Sequence, residues 1–316
     1  MSTSTSLKPV DGHTSYEFLI RSVLAGGFAG GVAKTVVAPL DRIKILFQTH
    51  NVEFQRFSGT WRGIPDALRF ILHTQGVRGL YQGHTLTLAR AIPHAAIGYT
   101  VYDRAGHLLM PTPESQTSFR RFLAGAITGV SAMPFTYPFE LIRVRMAIET
   151  RHHAHRPSPW SAMHTIWTEG RSRGHLTPLP FLHFYRGFTV SVLGTVPYRG
   201  GIFLIWETLN AHSRERLSAE ILHSYQTQIH LAVGAIAGAV AQVVTYPLEV
   251  VRRTQQASGA GSPERMIGFR EIVLRIWTQA GWRGFFSGLG IGLIKQVPMH
   301  SISLAAWQVA KRILDV

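Results

Sequence analysis

Three times along this chain a proline is followed two residues later by an acid and five residues later by a base. The copies are PLDRIK from Pro39, PFELIR from Pro138 and PLEVVR from Pro247, at separations of 99 and 109 residues. Other features recur in step with them. YQG at Tyr81, YRG at Tyr185 and FSG at Phe286 follow each motif, and a second proline comes after each, at Pro93, Pro197 and Pro298. Glycine pairs precede each motif: Gly26/Gly30, Gly125/Gly129 and Gly234/Gly238. Four ordered features in three copies mean a triplicated unit. Solenoid repeats run to about 20–50 residues, so a period near a hundred needs a different architecture.

Each unit supplies two apolar segments. The first set runs Phe18–Phe47, Phe119–Ile148 and Ile229–Gln256, and the second Leu86–Leu109, Val190–Leu209 and Leu289–Ile313. All are long enough for ~30 Å of hydrocarbon, which takes ~20 helical residues. With 46% hydrophobic and 16% charged residues and 30 glycines, the sequence predicts an all-α membrane protein. It has six transmembrane helices in three pseudo-threefold repeats, and an even number of spans puts both termini on one side. The glycine pairs are spaced for close helix contact. Between the spans of a unit, stretches such as Ile64–Gly76 and Phe269–Gly281 carry apolar residues at helical spacing, which suits helices lying on the membrane surface. The repeats divide as 17–112, 113–217 and 218–316, after a tail of residues 1–16.

A proline inside a helix removes a hydrogen bond and bends the axis. Three equivalent bends around a pseudo-threefold axis bring the residues below them together. Unpaired charge there costs about 2.5–3.5 kcal/mol. Acid and base stand at i,i+3 and could pair within one helix. The alternative is a ring between helices: Asp41 with Arg143, Glu140 with Arg252 and Glu249 with Lys44. Such a ring, able to open and close, would be a gate across a polar path.

Composition narrows the function. The formal charge of +15 calls for an acidic partner. The chain has no cysteine, which excludes disulfide and thiolate chemistry. No P-loop, metal spacing or nucleophile–base–acid set occurs, so neither an enzyme, a cofactor nor a metal is expected. RHHAHR (Arg151–Arg156) reads as a solvated loop rather than a metal site. The basic residues are dispersed between apolar spans without a nucleic-acid motif, and anionic lipid explains them better. The start of the chain lacks both the apolar run of a signal peptide and the Arg-rich face of a transit peptide, so targeting is expected to be internal.

The sequence resembles the mitochondrial carrier family, over nearly the whole chain after about Tyr16. The resemblance implies a six-helix barrel with short matrix-side amphipathic helices, in the inner membrane, with both termini toward the intermembrane space and the chain acting as a monomer. It implies that Asp41, Lys44, Glu140, Arg143, Glu249 and Arg252 form a matrix gate. Gln48 and Gln256 match the glutamine braces beneath that gate, and Ala147 stands where the third would be. A second gate toward the intermembrane space keeps only Asp103, Glu207 and Lys311 of its charges, implying a weak outer closure and a resting state open outward. Arg90, Gly194 and Lys295, three residues before the internal prolines, match the substrate contact points, with Ala91, Thr195 and Gln296 beside them.

Lys34, His94, Tyr198, Arg199 and His300 extend this set, and the cations suit phosphate. AKTVVAPLDRIKILFQTHN, YPFELIRVRMAIET, FYRGFTVSVLGTVPY and RGFFSGLGIGLIKQVPM look most like the fungal coenzyme A carrier and its relative, the Graves disease carrier. The implied cargo is coenzyme A or a related polyanion such as adenosine 3′,5′-bisphosphate; exchange of ATP and ADP, or of ATP-Mg and phosphate, is the other reading. The resemblance also suggests cardiolipin at the helix starts marked by Gly83, Gly187 and Gly288, against plain helix capping by glycine.

Overall fold

The computed structural model describes residues 12–59, 62–112, 117–150, 158–172, 180–216, 218, 221, 224–258 and 268–314. Arg151–Arg156 lies outside the described residues. The elements are helices: α1 (Gly12–Gln48), α2 (Gly63–Leu80), α3 (His84–Leu109), α4 (Ser118–Ile148), α5 (Pro159–Ser172), α6 (Phe188–Arg216), α7 (Gln226–Ala257), α8 (Phe269–Gly284), α9 (Leu289–Ile294) and α10 (Gln296–Leu314). Short 3-10 turns stand at Gln55–Phe57 and Pro180–Tyr185. Helices α1, α3, α4, α6, α7 and the α9–α10 pair are the six spans, and α2, α5 and α8 are the short helices within each repeat.

The prolines sit inside the helices: Pro39 in α1, Pro93 in α3, Pro138 in α4, Pro197 in α6 and Pro247 in α7. Pro298 falls at the start of α10, just after the last span is interrupted at Lys295. Having no N–H, it leaves the Ile294 carbonyl without its usual helical donor.

Helix contacts explain how the spans close into a barrel. α3 packs along α4, α6 along α7 and α10 along α1, so each long seam joins one repeat to the next. Contacts inside a repeat are sparser, while α1, α4 and α7 meet one another. The seams are built on alanine. Ala25, Ala29 and Ala33 on α1, Ala124 and Ala132 on α4, and Ala237 and Ala241 on α7 are all buried, at multiples of four that keep one face. The expectation that the glycine pairs make these contacts holds for Gly26, where a Cβ would lie 3.4 Å from the Trp307 ring of α10, and is corrected for Gly30, Gly125 and Gly234, where a Cβ would meet nothing within 4 Å. Gly30, Gly129 and Gly238 instead stand three helical turns before Asp41, Glu140 and Glu249, on the face that carries the acids. They widen the interior.

Large apolar side chains cover the outside, among them Leu24 (58% exposed), Phe28 (57%), Leu193 (66%), Val244 (72%) and Val297 (72%). A continuous surface of this kind belongs in lipid. Arg21–Gln48, Phe181–Arg216 and Gln228–Ala257 are long and apolar enough to cross a membrane by composition alone. The other three spans are more polar because they contribute groups such as Arg90, His94 and Lys295.

The break between each short helix and the next span is a left-handed glycine. Gly83, Gly187 and Gly288 have φ of 81°, 79° and 81°, a region costly for residues with a Cβ. The space is closed as well, since a Cβ at Gly83 would lie 3.0 Å from the Arg143 carbonyl oxygen. Gly83→Ala should therefore lower stability by about 1–2 kcal/mol. Gly27→Ala, on an open helical site, should be neutral or stabilise by up to about 1 kcal/mol. Thermal unfolding of the two variants in detergent checks the contrast, and equal melting temperatures would contradict it.

Candidate functional site

The prolines of α1, α4 and α7 lead directly into the charged residues, and the three helices converge there. Asp41 Oδ2 accepts from Arg143 at 3.0 Å, Glu249 Oε1 accepts from Lys44 at 2.8 Å, and Glu140 Oε1 meets Arg252. Each acid takes the base of another repeat, and no acid pairs with the base three residues on. The ring closes: repeat 1 to 2, 2 to 3, and 3 to 1.

Further cations join it. Arg90 of α3 reaches Glu140 Oε2 at 2.9 Å, Lys295 at the α9–α10 break reaches Asp41 Oδ1 at 2.5 Å, and Arg253 approaches Glu140 Oε1 at 3.0 Å. Six cations thus surround three carboxylates, leaving three excess positive charges. Arg253 was missed in the sequence because it lies next to the motif base rather than in the repeated pattern. Its neighbours in the other copies, Ile45 and Val144, are apolar. Arg90 and Lys295 are the cations that the resemblance puts at the substrate contact points. They turn down onto the acids of the ring, since a cation facing an apolar wall is better satisfied by the nearest carboxylate.

The third position at that level is Gly194, where a Cβ would lie 3.6 Å from Leu248 Cβ, so no side chain descends on Glu249. Lys34 lies half-buried within electrostatic reach of Arg90, Arg143 and Asp41, and His94 within reach of Arg90, Arg199 and Lys34. His94 Nδ1 is buried and finds no partner among the described residues. Tyr198 is half-buried beside Glu249 and Arg199, and Arg199 and His300 are exposed. Gln296 is occupied by Gln242, Thr195 returns its hydroxyl to Ser191 O at 2.7 Å, and Ala91 is half-buried. Between α4 and α6 a recess of about 300 Å³ is lined by Phe122, Ala126, Arg199, Phe203 and Trp206.

Below the ring, Gln48 donates to the Tyr246 hydroxyl at 3.0 Å, and Gln256 to that of Tyr137 at 2.9 Å. Those tyrosines donate to the Ser287 and Arg186 carbonyls at 3.0 and 2.6 Å, tying the braces to the glycine turns. At the opposite end of the barrel, Asp103 lies 3.7 Å from His107 on its own helix, Lys311 lies over its neighbour Trp307, and Glu207 is exposed. No ion pair links these three among the described residues. Among the described residues, the ring of ion pairs between repeats stands at the end of the barrel marked by Asp41, Glu140 and Glu249.

Comparison with known proteins agrees with this construction. The model of the mitochondrial carrier protein family matches three times, over residues 16–112, 114–216 and 223–315. An uncharacterised mitochondrial carrier of Schizosaccharomyces pombe is 38% identical, with 96% of each chain covered. The mitochondrial coenzyme A transporter of Xenopus tropicalis is 35% identical over 96% of this chain and 88% of its own length. The mitochondrial adenine nucleotide transporter of Arabidopsis thaliana is 30% identical over 96% and 90%. With its three repeats, six spans and full-length relatives, the chain belongs to the mitochondrial carrier family.

Proposed function

We propose that this carrier moves coenzyme A, or a closely related adenine-nucleotide polyanion such as adenosine 3′,5′-bisphosphate, across the mitochondrial inner membrane by alternating access. The observation that carries the reading is the pairing of Arg90 with Glu140 and of Lys295 with Asp41. The cations best placed to hold a phosphate are the ones that hold the ring shut. A polyanion entering from the open end competes for Arg90 and Lys295, with Lys34, Arg199 and His94 adding attraction above them. Each phosphate that wins leaves a ring carboxylate with fewer counter-ions, which makes separation of the repeats less costly. Binding shifts the equilibrium only to the extent that the opened form holds the cargo more tightly.

In this reading Asp41, Lys44, Glu140, Arg143, Glu249 and Arg252 are the matrix gate, Gln48 and Gln256 brace it, and the termini face the intermembrane space. Asp103, Glu207 and Lys311 close the outer side only weakly, so the resting carrier stands open outward. Gly194 and the aromatic recess beside Arg199 suit a flat base next to the phosphates. Gly83, Gly187 and Gly288 present helix starts to cardiolipin headgroups. One chain completes the barrel, and the carrier works as a monomer.

A second reading, exchange of adenine nucleotides such as ATP and ADP, is favoured by the likeness to the Arabidopsis thaliana transporter. It uses the same cations.

Reconstituted liposomes preloaded with a nucleotide panel separate the two. Coenzyme A uptake is expected, and ATP exchange with no response to coenzyme A would transfer the assignment. Arg90→Ala and Lys295→Ala should each reduce uptake at least a hundredfold, about 2.7 kcal/mol, while the variants still fold. Full transport in both would remove the site. Coenzyme A at a hundred times its Kd should also stabilise the purified protein by about 2.7 kcal/mol, seen as a raised Tm that Arg90→Ala abolishes. An unchanged Tm would count against a preformed polyanion site.

A further inference from the structure

The two glutamine braces leave one junction of the barrel without one. Gln48 of repeat 1 meets Tyr246 of repeat 3, and Gln256 of repeat 3 meets Tyr137 of repeat 2. The third pair would join repeat 2 to repeat 1, and there both members are alanine: Ala147 in place of the glutamine and Ala38 in place of the tyrosine. The loss extends outward. Tyr137 and Tyr246 stack on Tyr185 and Phe286 with interplanar angles of 9° and 11°, whereas Tyr81, the corresponding ring of repeat 1, is 38% exposed.

The gap is filled from one turn along the same helix. Arg42 is 2% exposed, in a position that the other copies give to the fully buried Leu141 and Val250. Its guanidinium donates to the carbonyls of Ala147 at 3.1 Å, Glu149 at 3.2 Å and Gly79. What is left between Ala38, Arg42 and Ala147 is a recess of only about 10 Å³, room for about one water. Two of these carbonyls, Ala147 and Glu149, stand at the end of α4, where a helix leaves its last C=O groups without intrahelical donors, and the third, Gly79, stands at the end of α2 within repeat 1. Neighbouring groups of repeat 1 take the rest: Asn51 donates to Ile148 O and Gln75 to Thr150 O, both at 3.2 Å. The first repeat thus supplies donors to the Ala147, Ile148, Glu149 and Thr150 carbonyls, while Arg145 of α4 donates in turn to Gln256 O and Ser258 O of the third repeat.

We propose that Arg42 is the third brace of this carrier, a positioning residue that holds repeats 1 and 2 together at the charged end. It replaces a glutamine–tyrosine pair by a guanidinium gripping helix-end carbonyls, and separation of the repeats breaks its bonds to Ala147 and Glu149 together with Asp41–Arg143. The proposal rests on the gate reading above. A planar fork with several fixed donors does what a lysine could not.

The chain has no cysteine, so spin labels can be placed without altering it further. Val52→Cys and Trp160→Cys, at sites 85% and 73% exposed, put one label on each side of this junction in the full-length reconstituted carrier. Pulsed electron-spin distance measurements then report its opening. Arg42→Leu should raise the long-distance population about tenfold, and adding Ala38→Tyr with Ala147→Gln should return it to within about twofold of the parent, because the missing pair is restored. Should Arg42→Leu fail to fold, Arg42→Lys, which keeps the charge and loses the fork, should give an intermediate opening. Gln256→Ala serves as the reference for a broken brace.

If Gln256→Ala opens the barrel and the Arg42 variants do not, Arg42 is no brace. Opening by Arg42→Leu that the tyrosine–glutamine pair leaves uncorrected would make Arg42 a helix cap only, and would also overturn the proposal. If neither Gln256→Ala nor the Arg42 variants change the distances, the gate reading itself fails.

Discussion

Three carboxylates at the bottom of a polar path set the terms for the rest of the molecule. Asp41, Glu140 and Glu249 lie among apolar helices, where a buried charge stripped of its partner costs about 3–5 kcal/mol. Each has a base three residues away on its own helix, yet takes one from another repeat. Local pairing would have satisfied the charges without ordering the barrel. Pairing across repeats makes charge neutralisation conditional on closure, and α1, α4 and α7 have to converge to achieve it. The bends at Pro39, Pro138 and Pro247 and the left-handed turns at Gly83, Gly187 and Gly288 are the local means to that geometry.

The threefold pattern is then broken in ways that matter. Gly194 leaves Glu249 with no cation from α6, while Asp41 and Glu140 each receive one from α9–α10 and α3. Glu140 gains Arg253 as well. The ring is held most heavily around Glu140 and least around Glu249, where Gly194 brings no side chain. A symmetric ring would present three equal sites. This one presents a cationic side and an open side, which suits a cargo that is itself asymmetric, with phosphates at one part and a flat group at another.

Much of this was legible in the sequence because repetition acts as its own control. Three copies of Pro-x-acid-x-x-base separated the ring positions from chance, and the span lengths followed from counting apolar residues. What repetition could not reveal was anything present once. Arg42 and Arg253 each occur in a single copy among apolar counterparts, and in one dimension they read as solvated charges. The glycine pairs misled in the opposite way. Their spacing is that of a contact motif, but apart from Gly26 against Trp307 the seams use alanines one residue away, at Ala25, Ala29, Ala124 and Ala237, and Gly30, Gly129 and Gly238 share the face of the ring acids. A spacing gives a shared helix face; it does not say which neighbour that face meets. The downward turn of Arg90 and Lys295 was hidden for a related reason, because a long side chain can satisfy its charge a full turn from its Cα.

That turn ties closing to binding. Had the upper cations stood free, an anion would bind above the ring and add stability to the closed barrel, since nothing in its binding would disfavour closure. In the proposed mechanism Arg90 and Lys295 are shared, so that an anion and the ring would compete for the same donors and occupancy of one would weaken the other. The three excess positive charges keep the competition from being one-sided: the ring is over-supplied, so it survives the loss of one cation, while a polyanion that engages several removes the surplus. Under that mechanism a monovalent anion would occupy the site without releasing the barrel, and multiplicity of negative charge would distinguish cargo from bystander. Selection by charge number would then follow from the arithmetic of the ring before any contact to a base or sugar is made.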